Sequence, residues 1–426
     1  MTPEIKQRID KICHGEVPEG YQRTFLGIAP KSWDKSRIDK ICRLSSGSTP
    51  RRDAVENFAG DILWVTSGEL KRRTIEDTQE KISETAVVNS HLEIYDPGTV
   101  VIAIYGLEAA GIRGTVSIIG KQCTISQACM AFTEFKGIDN EFFYYWYLNN
   151  GQVIGLRYAQ GTKQQNLSTD IVGSFPICFP SQWEQQKIAA ILTTQDRVIE
   201  LKEKCLAEKQ RQKKYLMQQL LTGKKRLPGF NGTWEKEKLG KCASMCSGGT
   251  PDTKNEKYYG NDYIWISIKD MTSAGKYICS SERGLTEAGL LNCSARLFPK
   301  GTILFAMYAS IGECSIAETE CCSSQAILGI EPDSKLNNEF LYYLLSNSKG
   351  YFKSFGQASS QPNLNKGIVQ SIVVQIPEIE EQAAIAEVLS AADREIELLQ
   401  QDIEQEKQKK KALMQLLLTG IVRVKT

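Results

Sequence analysis

Only two histidines, His14 and His91, occur in 426 residues. That leaves little for imidazole metal sites or for Ser-His-Asp chemistry. The thirteen cysteines are an odd number, and none stand in a C-x-x-C pair. Zinc-ribbon and thioredoxin-type motifs are therefore absent, and the thiols are expected to be reduced, in a cytoplasmic protein. Long hydrophobic runs are missing as well. The runs that do occur, such as "VVIAIY" at 100–105, are far too short to cross a bilayer. The N-terminal "MTPEIKQRIDKICHG" carries charges throughout and lacks the apolar core of a signal peptide. Charge of one sign does not dominate either, with 52 Lys+Arg against 50 Asp+Glu. No segment is a free-standing basic clamp, so any contact with nucleic acid must use local basic loops, with help from a partner.

Motifs of catalysis are equally scarce. No G-x-x-x-x-G-K-[ST] phosphate loop is present. A methyltransferase would need a glycine-rich cofactor loop and an N/D-P-P-aromatic motif, and neither occurs. A nuclease-like trio can be drawn from Asp61, Glu69 and Lys71, but the matching positions of a second copy, described next, are Asp262, Asp270 and Thr272. Cys242 and Cys246 lack further ligands, and Cys321 and Cys322 adjoin in a strand-like run. All four are read as structural thiols. No metal site and no cofactor are expected on the chain itself.

What is present is a duplication. "LMQQLLTG" at 216–223 returns as "LMQLLLTG" at 413–420, and residues 160–223 match 357–420 at 27 of 64 positions. Upstream the match is looser but ordered. "SGSTPRR" (46–52) answers "SGGTPDT" (247–253), and Trp64 in "DILWVTSGEL" answers Trp265 in "DYIWISIKDM". "DPGTVVIAIYG" pairs with "FPKGTILFAMYA", and "EFFYYWYL" (141–148) with "EFLYYLLS" (339–346). Apolar β-branched runs bounded by Gly and Pro predict strands, and each aromatic segment predicts one helix. The fold class is α/β (α+β), written twice. The parts are an N-terminal domain over 1–180 with an extension over 1–29, a long helix over 181–223, a second domain over 224–376, and a helix and tail over 377–426.

Residues 184–221 and 381–418 contain neither Gly nor Pro. Ile385, Leu389, Ala392, Ile396, Leu399 and Ile403 step by fours and threes, the pattern of a coiled-coil seam. Ile188, Leu192, Ile199 and Leu206 keep the same frame, interrupted by Gln195 and Lys202. Each helix is about 60 Å long, too long for a domain of this size to cover. Ile188, Leu192, Ile199, Leu206, Ile385, Leu389, Ile396 and Leu399 are therefore read as seam and partner-binding positions. Ser181 with Glu184 predicts a capping box, and Gly223 a helix stop. Lysines cluster near the end of both helices and acids near the start of the second, so antiparallel pairing is expected. Parallel pairing would set like charges side by side. One domain at each end of a pseudo-twofold helical spacer is the architecture this implies.

The remaining candidates are loops rich in Arg, Lys, Asn and Gln, the residue types that contact phosphates and base edges. In the first copy they supply Ser48, Thr49, Arg51, Arg52, Lys71, Arg72, Arg73, Tyr105, Arg113, Lys163, Gln164, Gln165 and Asn166. In the second they supply Thr250, Lys254, Lys257, Lys269, Tyr308, Ser323, Ser324, Gln361 and Asn363. Glycines in such loops allow close backbone approach to DNA. The loop letters differ between copies, "TPRRDAVEN" against "TPDTKNEKY", so each domain would read different bases.

Two globular domains, each followed by a long helix ending in "LxxLLTG", resemble the specificity subunit of type I restriction–modification systems. The resemblance covers nearly the whole chain. It is carried by "IPEIEEQAAIAEVLSAADREIELL" (376–399), "PSQWEQQKIAAILTTQDRVIEL" (180–201), "RLPGFNGTWEKEKLG" (226–240) and the two "SGxTP" loops. The first copy departs in having "PSQWEQQ" where acidic residues are common, which bears on local contacts with a partner. The resemblance implies a non-catalytic subunit with two target-recognition domains, each binding half of a split DNA site. It also implies docking of two methyltransferase subunits that bring S-adenosylmethionine, and restriction subunits that bring ATP and Mg. The rival reading is a tandem coiled-coil scaffold for two protein partners, and it predicts no sequence-selective protection of DNA.

Overall fold

The computed structural model describes residues 2–104, 115–158, 167–352 and 364–424. They form two compact units, Met1–Lys202 with Asp402–Thr426, and Glu203–Gln401. In the first unit a five-stranded sheet runs in the order Arg43–Ser46, Cys129–Thr133, Val100–Ala103, Val116–Ile119, Thr74–Ile75. All neighbours are antiparallel except the last pair. The strand Val100–Ala103 is apolar at every position because both of its faces are covered. Val100 and Ile102 belong to the core that includes the aromatic helix Asn140–Tyr158, and Val101 to a second core with Leu63, Val65 and Ile125.

The second unit repeats this order with Ala243–Ser247, Ile327–Pro332, Ile303–Ala306, Cys314–Ala317 and Tyr277–Ile278, again with only the last pair parallel. Its aromatic helix is Asn338–Asn347. A smaller sheet lies in each unit, built around Ile62–Val65 in the first and Tyr263–Ile266 in the second. The fold is α+β twice over, as the duplication implies. Among the described residues no helix is long and apolar enough to cross a membrane.

A two-stranded ribbon leads into each long helix, Asp34–Arg37 with Pro176–Phe179 and Glu235–Lys238 with Val373–Ile376. The helices themselves are Gln182–Leu220 and Ile379–Leu417. Gly223 and Gly420 end them with φ of +67° and +68°, a left-handed conformation that glycine adopts without strain. The expected capping box gives way to a different use of Glu184. Its two carboxylate oxygens accept from Arg423 at 2.7 and 2.6 Å. Glu381 accepts from Arg226 at 2.6 and 2.6 Å in the second unit. Each arginine stands three residues beyond the helix-ending glycine, and its guanidinium lies over a tryptophan, Trp33 or Trp234. A planar guanidinium satisfies both oxygens of a buried carboxylate at once, which a single backbone N–H cannot do. This explains why "LLTG" is written twice. Each unit holds the end of one long helix against the start of the other.

The next residue is as exacting. Gln185 is fully buried. It accepts from Asp139 N at 2.7 Å and donates to the carbonyls of Gly137 and Pro180 at 3.1 and 2.8 Å. Gln382 accepts from Asn337 N at 2.9 Å and donates to Lys335 and Pro377 at 2.9 and 2.8 Å. The repeated "EQ" thus ties each long helix to the turn before its aromatic helix.

Within each unit the two helix segments run antiparallel, as the charge pattern predicts. Lys202 meets Asp402 and Glu406 at 2.8 and 3.0 Å in the first unit, and Lys209 meets Glu395 at 2.6 Å in the second. The interruptions of the seam also find partners. Gln195 donates to Glu406 at 2.5 Å, so Glu406 holds both polar intruders, and these contacts draw its pKa down to about 2. The apolar stripe needs a correction at its start. Ile188, Leu192, Ile385 and Leu389 are buried in the cores of their own units and offer no free surface. Ile199 is buried too, while Leu206, Ile396 and Leu399 are half-buried along the seam. The domain is too small to cover the whole helix, but its aromatic helix covers the first turns.

Candidate nucleic-acid interface

The "SGxTP" loop of each copy is pinned from two sides. Gly47 N donates to Cys129 O and Ser48 N to Ile125 O, both at 3.3 Å. From the smaller sheet, the Trp64 indole N–H donates to Ser48 O at 3.2 Å. In the second copy Gly248 N reaches Ile327 O at 3.0 Å, Gly249 N reaches Ser323 O at 2.9 Å, and the Trp265 indole reaches Gly249 O at 2.9 Å. The glycine is needed for this approach. A Cβ on Gly47 would lie 2.0 Å from Ile125 O, and one on Gly248 would lie 2.2 Å from Ser323 O. The close neighbour of the glycine is the protein's own strand, not DNA as the loop composition suggested.

A second pinned feature follows the tryptophan. Thr66 and Glu69 form a capping box, with Glu69 accepting from Thr66 N and from Gln79 N at 2.7 Å each. Asp270 does the same, accepting from Ser267 N at 2.8 Å and Glu282 N at 2.9 Å. Burial opposes ionisation of Asp270, but these hydrogen bonds outweigh it and hold its pKa below the usual carboxylate range. Glu69 and Asp270 are thus committed to shaping a loop, and the nuclease-like trio loses its central carboxylate.

Among the described residues, the sequence-derived contact residues separate into three groups. Arg51, Lys71, Arg72, Lys254, Lys257, Lys269 and Tyr308 are exposed, with Arg51 on Asp53 at 2.9 Å and Lys269 on Glu282 at 2.5 Å. Ser48, Thr49, Thr250 and Ser324 are half-buried beside the pinned loops. Arg73 and Ser323 are removed from the surface set. Arg73 is engaged by Glu141 and by Asp196 at 3.7 Å inside its unit, and Ser323 is fully buried in a strand. Tyr105, Arg113, Lys163, Gln164, Gln165, Asn166, Gln361 and Asn363 lie outside the described residues.

Arg52 is exposed but neutralised. It donates to both oxygens of Glu80, at 2.6 and 3.0 Å, and lies over Phe58 and Trp64 at 4.9 and 5.4 Å. The hydrogen bond to Glu80 raises its pKa above the ordinary arginine value. In the second copy the residue that aligns with Glu80 is Arg283, and it lies 4.6 Å over Tyr259, the partner of Phe58. A cation on an aromatic ring therefore recurs at the same place, delivered from the opposite side of the loop pair. Sequence comparison missed Arg283 because its counterpart carries the opposite charge. Arg283→Ala is expected to weaken DNA binding of the assembled complex and to lower the salt slope by about one, while Arg52→Ala changes the slope less. Titrations at several salt concentrations decide this, and equal slopes for the two variants would refute it.

The two units are thus copies of one fold, each holding a pinned loop of different letters. The chain belongs to the type I restriction modification DNA specificity domain family, which it matches twice, over residues 30–209 and 231–408. Over 420 residues it is 25% identical to the type I restriction enzyme MjaVIII specificity subunit of Methanocaldococcus jannaschii, covering 93% of this chain and 94% of that one. To the MjaIX specificity subunit of the same organism it is 36% identical over 167 residues, only 38% of this chain and 39% of that one. In fold it is similar to the S subunit of a type I restriction–modification system from M. genitalium, with a TM-score of 0.57 at 15% identity, covering 92% of this chain and 97% of the other.

Proposed function

We propose that each unit reads one half of a bipartite, asymmetric site in double-stranded DNA, and that the paired helices set the gap and dock two methyltransferase subunits. The reading takes 1–180 and 224–376 as the recognition parts and 181–223 and 377–426 as the spacers. Partners supply the chemistry, S-adenosylmethionine on the methyltransferase subunits and ATP with Mg on restriction subunits. The chain itself is non-catalytic and works in the cytoplasm. The observation that carries this reading is the pairing of a common scaffold with divergent loop letters. Gly47 with Trp64 and Gly248 with Trp265 hold equivalent loops in equivalent places, while Arg51 and Arg52 in one are Asp252 and Thr253 in the other. Phosphate contacts fall to exposed cations beside the loops, Lys71 and Arg72 in one unit and Lys254, Lys257 and Arg283 in the other.

Exchange of residues 40–175 for the same region of a relative tests the reading. Methylome sequencing of cells carrying the exchanged subunit with its methyltransferase should show one half of the motif replaced and the other half and the gap retained. Change in both halves, or in the gap, would sink it.

A further inference from the structure

A half-buried polar cluster recurs in both units, at the place where the recognition sheet, the aromatic helix and both long helices meet. In the first unit Tyr145 donates to Asp196 at 2.6 Å and lies 3.2 Å from the Thr193 hydroxyl. Arg73, from the end of the five-stranded sheet, donates to Glu141 and reaches Tyr145 and Thr193 at 3.4 Å each. Lys410, on the other long helix, closes the cluster by pairing with Asp196 at 2.5 Å.

The second unit rebuilds it with different letters. Tyr343 donates to Asp393 at 2.5 Å and lies 3.1 Å from Ser390. Lys276 takes the place of Arg73, donating to Glu339 at 2.9 Å, Tyr343 at 2.9 Å and Ser390 at 2.8 Å. Lys213, from the other long helix, pairs with Asp393. Burial and the neighbouring carboxylate both raise the pKa of each tyrosine, so each phenol stays a donor. Arg has become Lys and Thr has become Ser, yet the contacts to the glutamate, the tyrosine and the hydroxyl are kept. That is unlike the loops, whose letters diverged without such matching.

An apolar helix seam resists separation but tolerates sliding by a heptad, and a polar group at one position specifies register at a cost in stability. These clusters do more than join two helices. Through Arg73 or Lys276 and the tyrosine they also fix the sheet that carries the reading loops to the same point. We propose that the two clusters are register locks: Asp196 with Lys410, and Asp393 with Lys213, hold the helix pair and the recognition sheet at one setting and so restrict the DNA site to a single gap. This rests on the helices setting the gap. Tyr145, Tyr343 and the two aspartates are positioning residues and need touch no DNA.

The test uses the full subunit coexpressed with its methyltransferase, read by methylome sequencing. Asp196→Asn keeps the shape and the bond from Tyr145 but loses the charge facing Lys410 and Arg73. Lys410→Met removes the lock from the other side. Each variant should keep both half-site sequences. Methylation at sites with a gap about three base pairs longer or shorter, the roughly 10 Å step of one heptad along DNA, should rise about tenfold relative to wild type. Arg73→Lys combined with Thr193→Ser, the second unit's own set, should keep single-gap behaviour and match wild type. A uniform fall in methylation with the gap unchanged in both Asp196→Asn and Lys410→Met would show a purely stabilising role and overturn the proposal. Altered half-site bases would overturn it as well. A wild-type motif with no fixed gap would instead remove the spacer reading beneath it, so the two failures are distinguishable.

Discussion

Gln185→Leu is expected to unfold the first unit at a markedly lower temperature, and Gln382→Leu to do the same to the second. Leucine fills nearly the same volume but offers neither donor nor acceptor. Substitution therefore strands the Asp139 N–H and the carbonyls of Gly137 and Pro180, which Gln185 now satisfies. In the second unit the groups left alone are Asn337 N–H and the carbonyls of Lys335 and Pro377. A buried polar group without a partner costs about 1–3 kcal/mol, and part of that is recovered by relaxation, so a total of about 2–5 kcal/mol is expected. For a unit of this size that corresponds to a fall in Tm on the order of 10 °C. Calorimetry of the purified subunit measures it. A fall of less than about 2 °C would mean that the glutamine contributes little beyond its volume.

Gly47→Ala and Gly248→Ala should abolish reading by one unit at a time. The added methyl would overlap a backbone carbonyl, Ile125 O at 2.0 Å or Ser323 O at 2.2 Å. A carbonyl fixed in a strand cannot swing away as a flexible side chain does, so the loop must lift. Overpacking of this kind costs about 1–3 kcal/mol, and it also breaks the indole hydrogen bond from Trp64 or Trp265. A displaced reading loop is expected to reduce specific DNA binding by the assembled complex at least about tenfold, since even one misplaced bidentate base contact costs about 1–3 kcal/mol. Gly68→Ala and Gly350→Ala are the matched controls. Neither has a positive φ, a Cβ at Gly68 touches only Thr66 Oγ1 at 3.9 Å, and one at Gly350 touches nothing within 4 Å. Competition binding with specific and scrambled duplexes compares the four. Wild-type affinity in Gly47→Ala would mean that this loop is not part of the reading surface.

Much of the architecture was legible in the chain because it depends on local pattern and on repetition. The apolar β-branched runs, the two aromatic helices, the Gly- and Pro-free long helices and their glycine ends all appear where the pattern places them. Charge order alone chose the antiparallel pairing, since ion pairs such as Lys209 with Glu395 depend only on how two helices are aligned. The roles of particular polar residues were not legible, because they depend on partners far away in sequence. Arg73 looks like a surface cation in "ELKRRT", yet its partners are at 141, 145, 193 and 196. Glu184 looks like half of a capping box, yet it accepts from Arg423, some 239 residues on. Arg283 had no signal at all, since its counterpart is Glu80. Sequence by itself determined that there are two copies, that each holds apolar strands, an aromatic helix and a long helix, and how the long helices pair. Only the tertiary structure decided which cations face solvent and which are held inside. Hydrophobic periodicity and helix charge repeat along the chain and can be read from it, whereas a buried polar group is defined by whichever distant donor or acceptor the fold brings within about 3 Å.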